Sequence, residues 1–290
     1  MLKPRAEAAL PLRAEATAAS LPPLVVAAEH VALTVMQGVH GRRRSGQGDA
    51  FWQFRPYLAG DDAARVDWRQ SAKSDRLYLR ETEWESAQTV VLWRDSAPGM
   101  DWSGAKSRPT KRARADLLLL ALSSLLLRGG ERVRLMGGGR GLSGRAALPE
   151  LAMRLELQSG PPADDALPRH ARAVLLSDFL SPLPELRASL APLAATGIRG
   201  TLVALHDPAE ETLPYGGRVR FEPLDGTDAA LVPRVEGIRA LYEERMAAHR
   251  AGLASLAASL GFRLLSHQTD HPPEAALMAL WQALAPQGAR

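Results

Sequence analysis

No cysteine occurs anywhere in this chain of 290 residues. A disulfide scaffold, a thiolate zinc site and a cysteine nucleophile are therefore excluded, while the compartment is left open. Long apolar runs are missing as well. The longest, residues 117–127, contains Ser123 and Ser124 and falls short of the ~20 residues that cross a bilayer. Arg5, Glu7, Arg13 and Glu15 break the Ala- and Leu-rich opening before a signal-peptide core can form, so a cytoplasmic location is expected. Charge of one sign is scarce too: 36 basic residues face 32 acidic ones, a formal surplus of +4. Nucleic-acid binding needs a clustered basic face rather than a small global excess, and none is expected. The seven histidines show no metal-ligand pairing such as His-Glu-x-x-His, and there is no Gly-x-Ser-x-Gly elbow. The expectation is a protein that is not an enzyme, with a hydrolase of unknown class as a distant alternative.

What is present is ordinary globular composition, 46% hydrophobic and 23% charged, in a chain long enough for a sizeable core. Residues 24–39 have helical spacing of apolar positions and end near Gly38 and Gly41. A basic, glycine-rich stretch and an aromatic one follow, and residues 76–85 alternate as a half-buried strand does. From residue 88 the texture becomes strand, helix, strand. Strands are predicted at 89–93, 133–136, 173–176, 200–205 and 263–266. Helices are predicted at 111–128, 146–157, 184–195, 235–260 and 273–285. Pro-rich residues 160–163 and 208–217 read as loops. This alternation predicts an α/β fold: a doubly wound, mainly parallel sheet with helices on both faces. The expected division is an N-terminal helix and motif region, 1–87, followed by the α/β domain, 88–290.

Ligands of open parallel sheets bind at the carboxyl ends of the strands. Three predicted strands end in acids: Asp95, Asp178 and Asp207. This layout resembles the von Willebrand factor A domain, where an Asp-x-Ser-x-Ser loop holds a divalent cation with one carboxylate and two hydroxyls. Magnesium needs several oxygen ligands, and hydroxyls complete the set without excess negative charge. Here the loop runs Asp95-Ser96-Ala97-Pro98-Gly99-Met100, so both serine positions are lost and Ser96 lies one place off register. Ser143 stands where the family has threonine, and Asp178 matches its later acid. Asp95, Ser143 and Asp178 thus make a weak, degenerate Mg2+ site. The alternative is that these acids cap helices or bond loop amides. Gly139-x-Gly141-x-x-Gly144 matches a dinucleotide fingerprint, but it follows a later strand than the first and reads better as a turn.

The most specific segment is Gly41 to Lys73. Phe54-Arg55-Pro56-Tyr57, Gly60-Asp61-Asp62, Arg65, Val66-Asp67-Trp68 and Ser71-Ala72-Lys73 follow a fixed pattern. They resemble the hallmark of the bacterial family numbered fifty-eight among domains of unknown function. That hallmark reads F-x-x-x-R-x-Y-x-x-G-D-D-x-R-x-I-D-W-x-x-S-A-R and precedes a von Willebrand factor A-like half. Phe51 keeps the family's interval to Arg55, while Val66 replaces Ile and Lys73 replaces Arg. Arg42, Arg43 and Arg44 resemble its basic lead-in, and Ser177-Asp178-Phe179 and residues 261–270 match further on.

The resemblance implies a partner of MoxR-type AAA+ ATPases, in an adaptor or chaperone-like role toward an unknown target complex, from a subgroup without membrane-spanning helices. Independently of kinship, the charges of Arg55, Asp61, Asp62, Arg65, Asp67 and Lys73 lie among aromatic residues, including Tyr57 and Trp68. Such a group can be an ion-pair network fixing a loop or a docking surface. Asp67 and Trp68 are expected to be structural, and Arg42 to Arg44 to serve docking or fixing equally. Gly60, Asp61 and Asp62 are expected to form a tight turn.

Overall fold

A computed structural model describes residues 23–40, 51–57, 66–73, 76–82, 88–162, 167, 171–224 and 228–284. The chain divides into two compact units. One comprises residues 39–88, and the other residues 1–38 with 89–290.

In the larger unit, α1 (Pro23–His40) buries Val25, Ala28, Val31, Ala32 and Val35, the three-and-four spacing of one helix face. Its Glu29 meets Arg128, 3.0 Å away. The core of this unit is a five-stranded, all-parallel sheet in the order β4-β3-β5-β6-β9. Its strands are β3 (Thr89–Arg94), β4 (Arg132–Leu135), β5 (Arg172–Ser177), β6 (Arg199–His206) and β9 (Arg263–Gln268). β3, β5 and β6 are buried almost from end to end, as strands covered on both faces must be.

The helices that cover the sheet are α3 (Lys111–Arg128), α4 (Leu148–Glu156), α5 (Leu183–Ala195), α7 (Arg239–Ser259) and α8 (Pro273–Leu284). α3 packs against α4 and α8 on one face, and α5 packs against α7 on the other. The second face gathers Val91, Trp93, Ala173, Leu175, Leu202 and Ala204 from the strands with Leu190, Leu193, Leu253 and Ala257 from the two helices. α3 starts on a Thr110 cap, whose hydroxyl accepts the Ala113 N–H at 3.1 Å, and stops at Gly129. Its sequence suggests one apolar face, yet it is buried on nearly all sides, Ser123 and Ser124 included.

Two expectations are corrected here. Residues 208–217 do not form a simple loop, because α6 (Pro208–Thr212) begins with a capping box: Asp207 caps the turn and the Glu210 carboxylate accepts the Asp207 N–H at 2.9 Å. A hairpin of β7 (Val219–Phe221) and β8 (Ala230–Val232) follows, and α7 begins only at Arg239 after a short 3-10 turn at Val235–Gly237.

The smaller unit pairs β1 (Phe51–Pro56) antiparallel with β2 (Tyr78–Thr82), with a register shift between Phe51 and Gln53. Between them lies the single turn α2 (Trp68–Ser71).

Strand order in the parallel sheet reverses between β3 and β5, the switch point at whose carboxyl ends sheets of this kind hold their ligands. At the opposite, amino end of the sheet, β6 packs closely against the residue that leads into β9: a Cβ added at Gly200 would lie 2.6 Å from the Phe262 ring. Gly200→Ala is expected to destabilise by about 1–3 kcal/mol, since a buried ring cannot rotate out of the way as a flexible chain end can. Thermal denaturation should show a fall of about 2–12 °C, and an unchanged midpoint would contradict the packing described.

Candidate functional site

The strand-end site is built from the residues that follow β3, β5 and β6 and from the start of α3. Asp95, just past β3, accepts the Ala97 N–H at 2.8 Å through Oδ1 and the Ser177 hydroxyl at 2.6 Å through Oδ2. Ser177 Oγ in turn accepts the Phe179 N–H at 2.9 Å. Phe179 is buried with φ +49°, a left-handed backbone that costs a bulky residue about 1–3 kcal/mol. Its carbonyl accepts from His249 Nε2 at 2.7 Å, so both sides of the strained residue are held.

Asp178 lies one residue on. Its Oδ1 accepts the Leu180 N–H at 3.2 Å and its Oδ2 the Lys111 ammonium at 2.7 Å. Lys111, the first residue of α3, is 1% exposed and makes a second, short ion pair with Glu210 of α6. Burial alone would lower the lysine pKa, but the carboxylates of Asp178 and Glu210 outweigh it and the net shift is upward. The Glu210 carboxyl is pushed up by burial, with Lys111 pulling the other way. The ammonium is the secure charge, because it faces two acids, whereas Glu210 shares its one cation with Asp178.

Asp207 is fully buried and committed to structure. It accepts from Ala209 N–H at 2.9 Å and Gly104 N–H at 3.1 Å, and Arg108 lies 3.4 Å away. His206 beside it is 3% exposed, burial lowers its pKa, and its Nδ1 has no hydrogen-bond partner among the described residues.

The strand ends therefore bring Asp95 and Asp178 to neighbouring strands, but the residues do not fit a divalent cation. Asp178 is already paired with a cation and with an amide. Ser96 Oγ accepts the Gly160 N–H at 3.2 Å, and Ser143 is exposed with no hydrogen bond to either acid. The chain still wraps Asp178 closely at the position where the von Willebrand pattern has its second serine: a Cβ at Gly99 would lie 3.4 Å from Asp178 Oδ2. Among the described residues no group of three or more His, Asp or Glu could hold a metal ion. The glycine fingerprint is a turn, in which Gly139 and Gly144 have φ of +80° and +78° and Leu142 pairs back onto Val133.

In the motif unit, Asp67 caps α2 by accepting the Gln70 N–H at 2.9 Å. The Ser71 hydroxyl donates to the Asp67 carbonyl at 2.8 Å and accepts the Tyr78 N–H at 2.9 Å, tying the turn to β2. Asp67 is therefore structural, as its sequence suggests. Trp68 departs from its expected structural role, being 66% exposed, and Arg69 and Lys73 are exposed with it. Tyr57 is half-buried and its N–H donates to Leu77 O at 2.8 Å. Arg42, Arg43, Arg44, Gly60, Asp61, Asp62 and Arg65 lie outside the described residues, as does the side chain of Arg55.

Sequence reasoning passed over Lys111, Glu210 and two further buried clusters. A lysine directly after a helix cap opposes the helix dipole, which signals that acids must stand nearby, and Asp207-Pro208-Ala209-Glu210 spells a capping box. Arg94 Nε lies 2.6 Å from Asp116 Oδ1, although the N–H does not point along the contact, and Arg94 also donates to Leu155 O at 2.7 Å. Arg114 donates to Thr269 O and His271 O, both at 2.7 Å, and lies 3.2 Å from His267 Nε2. A guanidinium only donates, so His267 Nε2 is the acceptor and the ring is neutral.

The two clusters titrate in opposite senses. Burial pushes Asp116 up to about 6 against the pull of Arg94, and burial with the charge of Arg114 takes His267 down to about 4. A carboxyl raised in the fold loses stability as pH rises from about 4 to 6, and a histidine lowered in the fold loses stability as pH falls from about 6.5 to 4. The wild type should therefore show partly cancelling slopes in that window. Asp116→Asn is expected to steepen the loss on acidification and His267→Gln to flatten it, each by on the order of 2–3 kcal/mol across the window. Urea unfolding at pH 4.5, 5.5 and 6.5 measures both slopes, and parallel curves for all three proteins would refute the assignment.

Comparison with known proteins adds the following. An uncharacterised protein of Mycobacterium tuberculosis (strain ATCC 25618 / H37Rv) is 28% identical over 258 residues, covering 81% of this chain and 80% of the relative. An uncharacterised protein of Mycobacterium bovis matches equally well. Among solved structures, the conserved hypothetical protein BatB from Bacteroides thetaiotaomicron is similar with a TM-score of 0.41 and 13% identity, over 68% of this chain and 97% of that one. An aerotolerance-related membrane protein from Bacteroides fragilis NCTC 9343, with multiple mutations to serines, is similar at 0.38 and 15%, over 68% and 98%. The profile of the family described as "Protein of unknown function DUF58" matches residues 53–252, the motif unit and most of the parallel sheet together, and the chain belongs to that family.

Proposed function

We propose that this protein is a non-enzymatic, von Willebrand factor A-like adaptor that works in the cytoplasm with a MoxR-type AAA+ ATPase through protein contacts. The observation that carries the reading is Trp68, an indole 66% exposed on a turn that Asp67 and Ser71 hold rigid. A large aromatic side chain displayed on a preorganised turn is an interface anchor, because ordering costs little when the partner arrives. Exposed Arg69 and Lys73 on the same turn add positive charge around it. The class of partner rests on the family resemblance of the motif, and the von Willebrand likeness rests on the parallel sheet with acids at its strand ends. No helix among the described residues is long and apolar enough to cross a membrane.

A divalent-cation-dependent binder at Asp95, Ser143 and Asp178 is the weaker reading, since Asp178 already holds the Lys111 ammonium.

Affinity purification of the tagged full chain from its native cells tests the proposal. The wild type is expected to recover an AAA+ ATPase of the MoxR class, and Trp68→Ala to weaken that recovery at least tenfold, with the melting midpoint little changed because the indole is in solvent. A loss on truncation of about 2–4 kcal/mol is usual for such an anchor. Equal recovery by Trp68→Ala would remove the turn from the interface, and a wild type that brings down no such ATPase would remove the partner.

A further inference from the structure

We propose that the Lys111 ammonium is a tethered cation, standing at the strand ends in the role of a bound divalent ion and making this site independent of metal. The inference is separate from the ATPase reading and rests on four observations.

First, Lys111 Nζ bridges two carboxylates on different elements, Asp178 after β5 and Glu210 in α6, as a coordinated ion bridges its ligands. Second, the ammonium is 1% exposed, so these contacts are not incidental surface pairs. Third, the loop after β3 passes close to Asp178 at Gly99 but brings no hydroxyl there, and Ala97 offers only its backbone N–H, which Asp95 accepts. The Asp178 carboxylate thus meets a fixed ammonium and no hydroxyl from the β3 loop. Fourth, the remaining acids are satisfied by groups of the chain itself, without a metal ion. Asp95 takes a hydroxyl and an amide, and Asp207 takes two amides with Arg108 nearby.

The chemistry of the exchange is consistent. An ammonium donates three hydrogen bonds from one compact charge, so it can join two carboxylates without the octahedral oxygen shell that magnesium demands. Its stem is covalently anchored at the first residue of α3, so it cannot dissociate or be chelated. The positive end of α3 acts on the same acids, which reinforces the single charge.

The test uses the full-length chain stripped of metal. In the wild type, Mn2+ up to millimolar concentration is expected to give no site by electron paramagnetic resonance and no shift in melting midpoint. Lys111→Ser opens the space between Asp178 and Glu210. It is expected to melt roughly 10 °C lower without metal, since one partner of a buried pair is gone. Mn2+ should then bind one site in Lys111→Ser and recover several degrees, and Asp178→Asn in that background should abolish both effects. Wild-type binding of Mn2+ that Asp178→Asn removes would overturn the proposal, as would a folded Lys111→Ser that ignores metal.

A second series separates charge from packing. Lys111→Met should destabilise, and adding Asp178→Asn with Glu210→Gln should restore most of the midpoint, because the acids no longer need a counter-charge. A triple variant no better than Lys111→Met would show that unpaired acid charge is not what destabilises it, and would overturn the proposal equally.

Discussion

A lysine ammonium stripped of water must find its counter-charges inside the protein, and that requirement organises the carboxyl end of this sheet. Lys111 begins α3, Asp178 follows β5 and Glu210 lies in α6, so one buried charge joins three elements far apart in sequence. Desolvating such ions costs several kcal/mol each, and their attraction in the interior roughly offsets that cost. The net contribution to stability is therefore small, but the contribution to position is large. Any shift of α3, α6 or the turn at Asp178 leaves a charge buried and unpaired, which is far worse than the pair itself. Strain at Phe179 persists for the same reason: Ser177, His249 and the neighbouring ion pair over-determine the turn that contains it.

Once those acids are committed, the division of labour between the two units follows. Asp95, Asp178 and Asp207 are each satisfied by amides, hydroxyls or basic side chains of the chain itself, which leaves little for a small ligand to coordinate. In the motif unit the balance runs the other way. Asp67 and Ser71 are used up in holding the turn, while Trp68 beside them is 66% exposed. A tryptophan that the fold does not need for burial is available for contact with another molecule.

Elements with strong local signals were legible in the sequence. The helix of residues 111–128 and the strands β3, β5 and β6 could be located because apolar runs stopped by Gly129 or by acidic strand ends leave few alternatives. The short α6 was missed although Asp207-Pro208-Ala209-Glu210 is a capping box, because its prolines and glycines pointed to a loop. β1 was obscured because Phe51 to Pro56 lacks the regular apolar–polar alternation that marks a half-buried strand. Trp68 was misjudged for a related reason: composition places tryptophan inside on average, and only the orientation of a capped turn sends it outward.

What the sequence by itself determined is the alternation of strands and helices, the parallel sheet, the acids at strand ends and the motif that marks the DUF58 family. These follow from periodicity, capping and residue type, all of which act over a few residues. Only the tertiary structure decided what the acids face. Lys111 is 67 residues from Asp178 and 99 from Glu210, and no local rule connects them. Electrostatics in a dry interior depends on distance through space, so whether a carboxylate awaits a metal ion or already holds an ammonium is settled when α3, β5 and α6 pack together.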